Sequence, residues 1–219
     1  YLAATVRTAL GDETSESDQI FAMTSLSATS LDVVRYYSAA QDAASNGRYE
    51  DARQNGLKAV ELDPKFGVGY QLLAVASRNL GRLQDADKYA AEALRYVDTM
   101  TERERFSTRG FWYRVSSDWE NCVNEYGQMI ARYAADVVGL NQHALCLTQL
   151  RRIPEAVEEI QRVVNMLPNR VVFRTNLALY SNYAGNFANG EKEALAIAEP
   201  DAYATMGLVF AQLGQGQLS

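Results

Sequence analysis

This sequence is poor in the residues that build metal sites and catalytic pairs. Its single histidine, His143, has no Cys, Asp or second His at ligand spacing on the same helix face, so it reads as a core histidine and not as a ligand or a base. Its two cysteines, Cys122 and Cys146, form neither a CxxC nor a closely spaced framework, and both occupy apolar or small-residue positions. They read as buried thiols in preference to a disulfide. No apolar run approaches the roughly 18 residues that span a bilayer, so no membrane insertion is expected within this segment. Positive charge is scarce too: Lys and Arg number 21 against 27 Asp and Glu, a net charge of -6. Phosphate backbones and anionic lipid are disfavoured on that balance, and no nucleic acid is expected as a partner. The start at Tyr1 shows no secretory signal, and the missing initiator Met suggests a piece of a longer protein. The tail GQGQ over 214–217 has no preceding strand and no GK[ST], so it is not a phosphate loop. Glu50, Asp51, Glu155 and Glu158 fall on outward helical positions, where a solvated face explains them. The expectation is no catalytic residue, no metal ligand and no cofactor.

What the chain does have is a repeat. Apolar residues make up 47% and charged residues 22%, the balance of a globular protein. The stretch Tyr36 to Pro64 reads as two amphipathic helices broken at Asn46-Gly47 and stopped at Asp63-Pro64. Its small residue Ala52 finds counterparts in Ala86, Cys122 and Ala156, at separations of 34, 36 and 34 residues. A period of this size, with two helices per unit and small residues where helices touch, predicts a stacked solenoid. Ser117 with Glu120 reads as a capping box, and Pro154 sits in the first turn of a helix, where its missing amide hydrogen costs nothing. Ahead of the repeats, residues 1–10 read as a helix. A Ser, Thr and acid-rich linker follows, and its Ile20, Phe21 and Met23 are expected to tuck against the first unit.

The pattern resembles the tetratricopeptide repeat. Repeat one supplies Tyr36, Ala39, Ala40, Ala43, Ala52, Ala59 and Pro64; repeat two Tyr70, Leu73, Ala74, Ser77, Gly81, Ala86 and Ala93. Repeat three carries Phe106, Gly110, Tyr113, Trp119, Cys122, Tyr126 and Met129, and repeat four Leu140, Ala144, Leu147, Ala156, Val163 and Pro168. Repeat five has Leu177, Ala178, Ser181, Gly185 and Phe187, and a half-repeat Tyr203, Gly207, Phe210 and Gly214. The resemblance implies an all-α fold, a right-handed superhelix of antiparallel helix pairs. An N-terminal helix and linker would occupy 1–29 and the array 30–219, with units at 33–66, 67–100, 103–136, 137–170, 171–199 and 200–214.

In this family the first helices line a concave groove. That assigns Tyr37, Gln41, Gln71, Val75, Arg78, Asn79, Phe111, Arg114, Asn141, Gln142, Leu145, Asn176, Leu179 and Asn182 to a peptide-binding face, with Val172 and Thr175 alongside. Amides there can pair with a peptide backbone and the apolar groups can take side chains. Arg78 and Arg114 share a repeat position, and guanidinium forks suit a carboxylate or phosphate. The basic clamp by which some members hold chaperone C-termini does not carry over, because Tyr37, Gln41, Leu72, Glu104 and Thr108 stand at its places.

The runs LGDETSES, SLDVVRYYSAAQDAASNGRYEDA and MTERERFSTRGFWYRVSSDWE also resemble tetratricopeptide regions found C-terminal to bacterial serine/threonine kinase domains, often beyond a membrane helix. This resemblance implies a sensing or docking appendage of a bacterial signalling protein, on either side of the membrane. The expected function is a non-catalytic scaffold whose partner is a protein or peptide. The competing expectation is a homodimer through 200–219, where MGLVFAQL forms a first helix without its second and leaves an apolar face uncovered. An enzyme site between units is the weakest alternative.

Overall fold

The computed structural model describes residues 26–217, and it is all-α. The expected helix over 1–10 and the cluster of Ile20, Phe21 and Met23 lie outside the described residues. Eleven α-helices follow in order: α1 Leu31–Ser45, α2 Tyr49–Leu62, α3 Gly67–Asn79, α4 Leu83–Arg95, α5 Glu102–Val115, α6 Trp119–Arg132, α7 Val137–Gln149, α8 Ile153–Met166, α9 Val171–Tyr183, α10 Phe187–Leu195 and α11 Ala202–Gly214. A short 3-10 turn, Val97–Thr99, precedes α5. No strand occurs among the described residues. Pairs α1–α2, α3–α4, α5–α6, α7–α8 and α9–α10 are the helical hairpins of a tetratricopeptide solenoid.

One turn makes every hairpin. Gly47, Gly81, Ser117, Arg151 and Gly185 all have positive φ, between 59° and 75°. After each, the next amide reaches back to close a six-residue bond: Arg48 N–H to the Ala43 carbonyl at 2.8 Å, Arg82 to Ser77 at 2.9 Å, Asp118 to Tyr113 at 2.9 Å, Arg152 to Leu147 at 3.0 Å and Asn186 to Ser181 at 2.9 Å. This is the Schellman ending, which satisfies carbonyls the helix would leave open and turns the chain back on itself. Glycine enters the left-handed region freely, whereas Ser117 and Arg151 adopt it at a cost of roughly 1–2 kcal/mol. Ser117 is therefore a turn residue and not the expected helix cap. The cap of α6 is Asp118, whose carboxylate accepts from Asn121 N–H at 3.3 Å. Pro154 does lie in the first turn of α8.

Small residues let the helices close. Ala52, Ala86, Cys122 and Ala156 are all buried, and so is the apolar set that leans on them. The chain divides into two compact units between Thr108 and Arg109. In the first, Val33, Ala59, Phe66, Val68 and Met100 form a core extended by Leu26, Tyr36 and Tyr37. In the second, Leu140, Leu147, Ile160, Val163, Leu177 and Tyr180 do the same. Burial of such side chains contributes about 1.5–3 kcal/mol each and is the main force holding a hairpin to its neighbour.

Two local features correct or explain the sequence reading. Cys122 on α6 and Cys146 on α7 are buried as expected, but they are joined as a disulfide. Stacking the fourth hairpin on the third brings their Cα atoms to 6.0 Å, within the normal range for a bridge. The segment TERERF opens α5 with a reciprocal cap. Thr101 N–H donates to Glu104 Oε2 at 2.8 Å, and Glu104 N–H donates to Thr101 Oγ1 at 3.4 Å. The other carboxylate oxygen of Glu104 accepts from Ser27 N–H at 3.0 Å, tying the chain before α1 to the helix.

Candidate docking face of the first helices

In the first unit the candidate residues sit on α1 and α3. Tyr37 turns its ring edge onto Phe66, with centroids 5.1 Å apart at 85°, and its hydroxyl accepts from Gln41 Nε2 at 3.0 Å. Burial, and then the nearby Glu104 carboxylate, push that hydroxyl well above the usual phenol range. Gln71 is fully engaged. Its Nε2 donates to the Ser107 carbonyl at 3.2 Å and to Ser107 Oγ at 2.9 Å, while its Oε1 accepts from Thr108 Oγ1 at 3.0 Å. An amide spent in this way joins α3 to α5 and is withdrawn from a ligand. Gln41, Arg78 and Asn79 are exposed, with Asn79 Nδ2 bonded to the Val75 carbonyl at 2.9 Å. Val75 is half-buried between them.

The second unit uses its amides in the same way. Asn176 Nδ2 on α9 donates to Asn141 Oδ1 on α7 at 2.8 Å. Arg114 Nη1 on α5 donates to Gln142 Oε1 at 3.1 Å, and its guanidinium lies 5.0 Å over the Phe111 ring. Asn182 donates to the Gly207 carbonyl of α11 at 2.8 Å, and its own Oδ1 is sealed from solvent. Phe111, Leu179 and Asn182 are buried, so these three line the joints between helices and do not face a partner. Asn141 is buried as well, and Leu145 is half-buried. Four of the candidate amides, Gln71, Gln142, Asn176 and Asn182, thus bond across to a neighbouring first helix.

In the second unit the open part of this face includes apolar side chains. Val138 on α7 and Val172 on α9, one repeat apart at equivalent positions, are 45% and 54% exposed. Tyr183, at the far end of α9, is also exposed and stacks on Tyr180 at 6.3 Å. Val138 and Tyr183 were missed by sequence reasoning. The 34-residue offset from Val172 would have found Val138.

Groups that could do chemistry are engaged elsewhere. His143 Nδ1 lies 3.7 Å from Glu159 Oε1 on α8, and Arg162 approaches the same carboxylate at 3.5 Å. Arg174 pairs with the buried Glu193 and donates to the Pro168 carbonyl at 2.6 Å. Desolvation raises the Glu125 carboxyl above its ordinary range, against the pull of Arg109 at 3.6 Å. No group of three or more His, Cys, Asp or Glu able to hold a metal exists among the described residues. No helix among them is long and apolar enough to cross a membrane.

The hairpin, its left-handed turn and its small-residue contacts define an all-α tetratricopeptide solenoid. Solved structures carry the same fold. PilW, described as a widely conserved type IV pilus biogenesis factor, aligns with a TM-score of 0.61 at 12% identity, covering 86% of this chain and 88% of its own. PilF of Pseudomonas aeruginosa aligns at 0.54 and 16% identity, covering 85% of each chain. A tetratricopeptide repeat protein from Parabacteroides merdae aligns at 0.50 and 18% identity, over 86% of this chain and 75% of its own. No protein-family model matches the sequence, and no curated protein matches it.

Proposed function

We propose that this chain is a non-catalytic scaffold whose first-helix face holds an extended peptide of a protein partner. The observation that carries this reading is the pair Val138 and Val172, half exposed at the same repeat position and bordered by Asn141, Gln142 and Asn176. Adjacent packed helices lie about 8–10 Å apart. A peptide in the polyproline II form rises about 3.1 Å per residue with three residues per turn, so its side chains at i and i+3 face the same way roughly 9 Å apart. The partner segment is therefore apolar at every third residue and not acidic, since the chain itself carries a net charge of -6. The resemblance to regions that follow bacterial kinase domains supports placing this scaffold in a signalling protein, as its sensing or docking arm.

Peptides selected on the intact chain from a random displayed library provide the test. Val138→Glu combined with Val172→Glu should weaken the selected peptides at least about tenfold by titration calorimetry, the cost of setting two carboxylates against apolar groups. The melting temperature should stay unchanged because both positions are open. Unchanged affinity would rule this face out. A second reading, self-association, is favoured by a separate observation: the apolar side chains left open along α11.

A further inference from the structure

Helix α11 ends as the other first helices do. Gly216 has a φ of 70°, and Gln217 N–H bonds back to the Gln212 carbonyl at 2.9 Å. Matching Gly216 to Gly185 puts Tyr203, Met206, Phe210 and Leu213 at the places that Val172, Thr175, Leu179 and Asn182 hold on α9. On α9 the last three are buried, and α11 is what covers them. Asn182 bonds the Gly207 carbonyl, and a Cβ on Gly207 would stand 3.6 Å from Leu179 Cδ2. On α11 the four side chains are 44% to 66% exposed. The open row is thus the surface on which a further first helix stacks. It is not the hairpin face that the sequence pattern suggested, where only Val209 lies.

We propose, resting on the self-association reading and independent of peptide capture, that α11 pairs with α11 of a second copy of this chain, antiparallel about a twofold axis at residue 208. Charge selects this occupant first. Residues 202–219 contain no Asp, Glu, Lys, Arg or His, so the row meeting itself sets no charge against a like charge, and the carboxylates of Asp201 and of Glu191, bonded to Gln215, stand at the two ends of the helix. Spacing then sets the register. The row runs at intervals of three, four and three residues, the same read in either direction, so a twofold at 208 sets Tyr203 against Leu213 and Met206 against Phe210 of the second copy. Finally, the head-to-tail alternative fails on charge. The face of α1 that would have to cover the row consists of Arg35, Ser38 and Asp42, all exposed, and it would carry an arginine and an aspartate into an apolar contact. The side chains of the row offer roughly 400–500 Å² per copy. That is the low end for a specific interface and marks a weak, concentration-dependent dimer.

Sedimentation equilibrium on the 219-residue chain, from about 5 μM to about 500 μM, should show monomer passing to dimer. Phe210→Glu should raise the dissociation constant at least about a hundredfold, because the twofold counts each buried carboxylate twice. Leu83→Glu, on an exposed apolar position of α4, should leave it unchanged. Tyr203→Lys or Leu213→Glu alone should weaken the dimer about tenfold or more. Together they should recover most of that loss, since the introduced ammonium and carboxylate meet across the axis while lying about 15 Å apart within one copy. A chain that stays monomeric throughout overturns both self-association and the register. A dimer indifferent to Phe210→Glu overturns α11 as its interface. Loss with Phe210→Glu but no recovery in the Tyr203→Lys, Leu213→Glu pair overturns the antiparallel register. Circular dichroism at the lowest concentration identifies any variant that has failed to fold.

Discussion

Helices α9 and α11 each have 13 residues, each is preceded by a second helix and each is followed by the same left-handed turn. Their equivalent rows nevertheless meet opposite environments. The covered row on α9 is mixed, with Thr175, Leu179 and Asn182 fitted under a neighbour. The open row on α11 is wholly apolar and larger, with Tyr203, Met206, Phe210 and Leu213. A row left to water would ordinarily carry charge, so the more apolar set standing on the open helix is what a surface that meets a partner requires.

Substitutions at matched positions sharpen or break this contrast. The largest effect is expected at Leu179, buried beneath α11: Leu179→Ala should cost about 3 kcal/mol of unfolding free energy, while Phe210→Ala at the equivalent open position should cost less than about 0.5 kcal/mol in dilute solution. Urea titrations that give equal losses would show that α11 does not distinguish the two rows. Next comes Gly190→Ala. A Cβ there would stand 1.9 Å from Asn182 Oδ1 and 3.1 Å from the Ala178 carbonyl, so Asn182 must abandon Gly207. We expect a loss of about 2 kcal/mol, read as a lower melting temperature. The smallest effect has the opposite sign. A Cβ on Gly207 meets nothing closer than 3.6 Å, so Gly207→Ala should stabilise by about 0.5 kcal/mol through helix propensity. A melting temperature that falls instead would mean that α11 lies closer to α9 than these contacts imply.

The sequence made the hairpins legible because their determinants are local. Ala52, Ala86, Cys122 and Ala156 fall where two helices touch, and all four are buried. Gly47, Gly81 and Gly185 announce their turns by being glycine. Ser117 and Arg151 make the same turn without any such mark. Ser117 therefore looked like a cap, although the capping was done by Asp118. The candidate face was less legible for a different reason. An amide's identity shows that it can bond, not whom it bonds, and Gln71, Asn176 and Asn182 are taken up by neighbouring first helices. Cys122 and Cys146 carried no pairing signal because only the stacking of one hairpin on the next brings them together. The exposure of Val138 likewise depends on what the fold leaves uncovered.

The covalent link between α6 and α7 has a mechanical consequence. In stacked repeats each unit is held only by its neighbours, so melting can begin at an end and travel inward. A fraying front that travels from α11 towards α6 must part every joint it reaches, and at the seam between the third and fourth hairpins it meets a bond that thermal motion does not break. That rivet closes a loop between positions 122 and 146, and by restricting the unfolded chain it stabilises the fold by roughly 3 kcal/mol. Under oxidising conditions the seam is therefore a firebreak, and a thiol reductant turns it back into an ordinary joint.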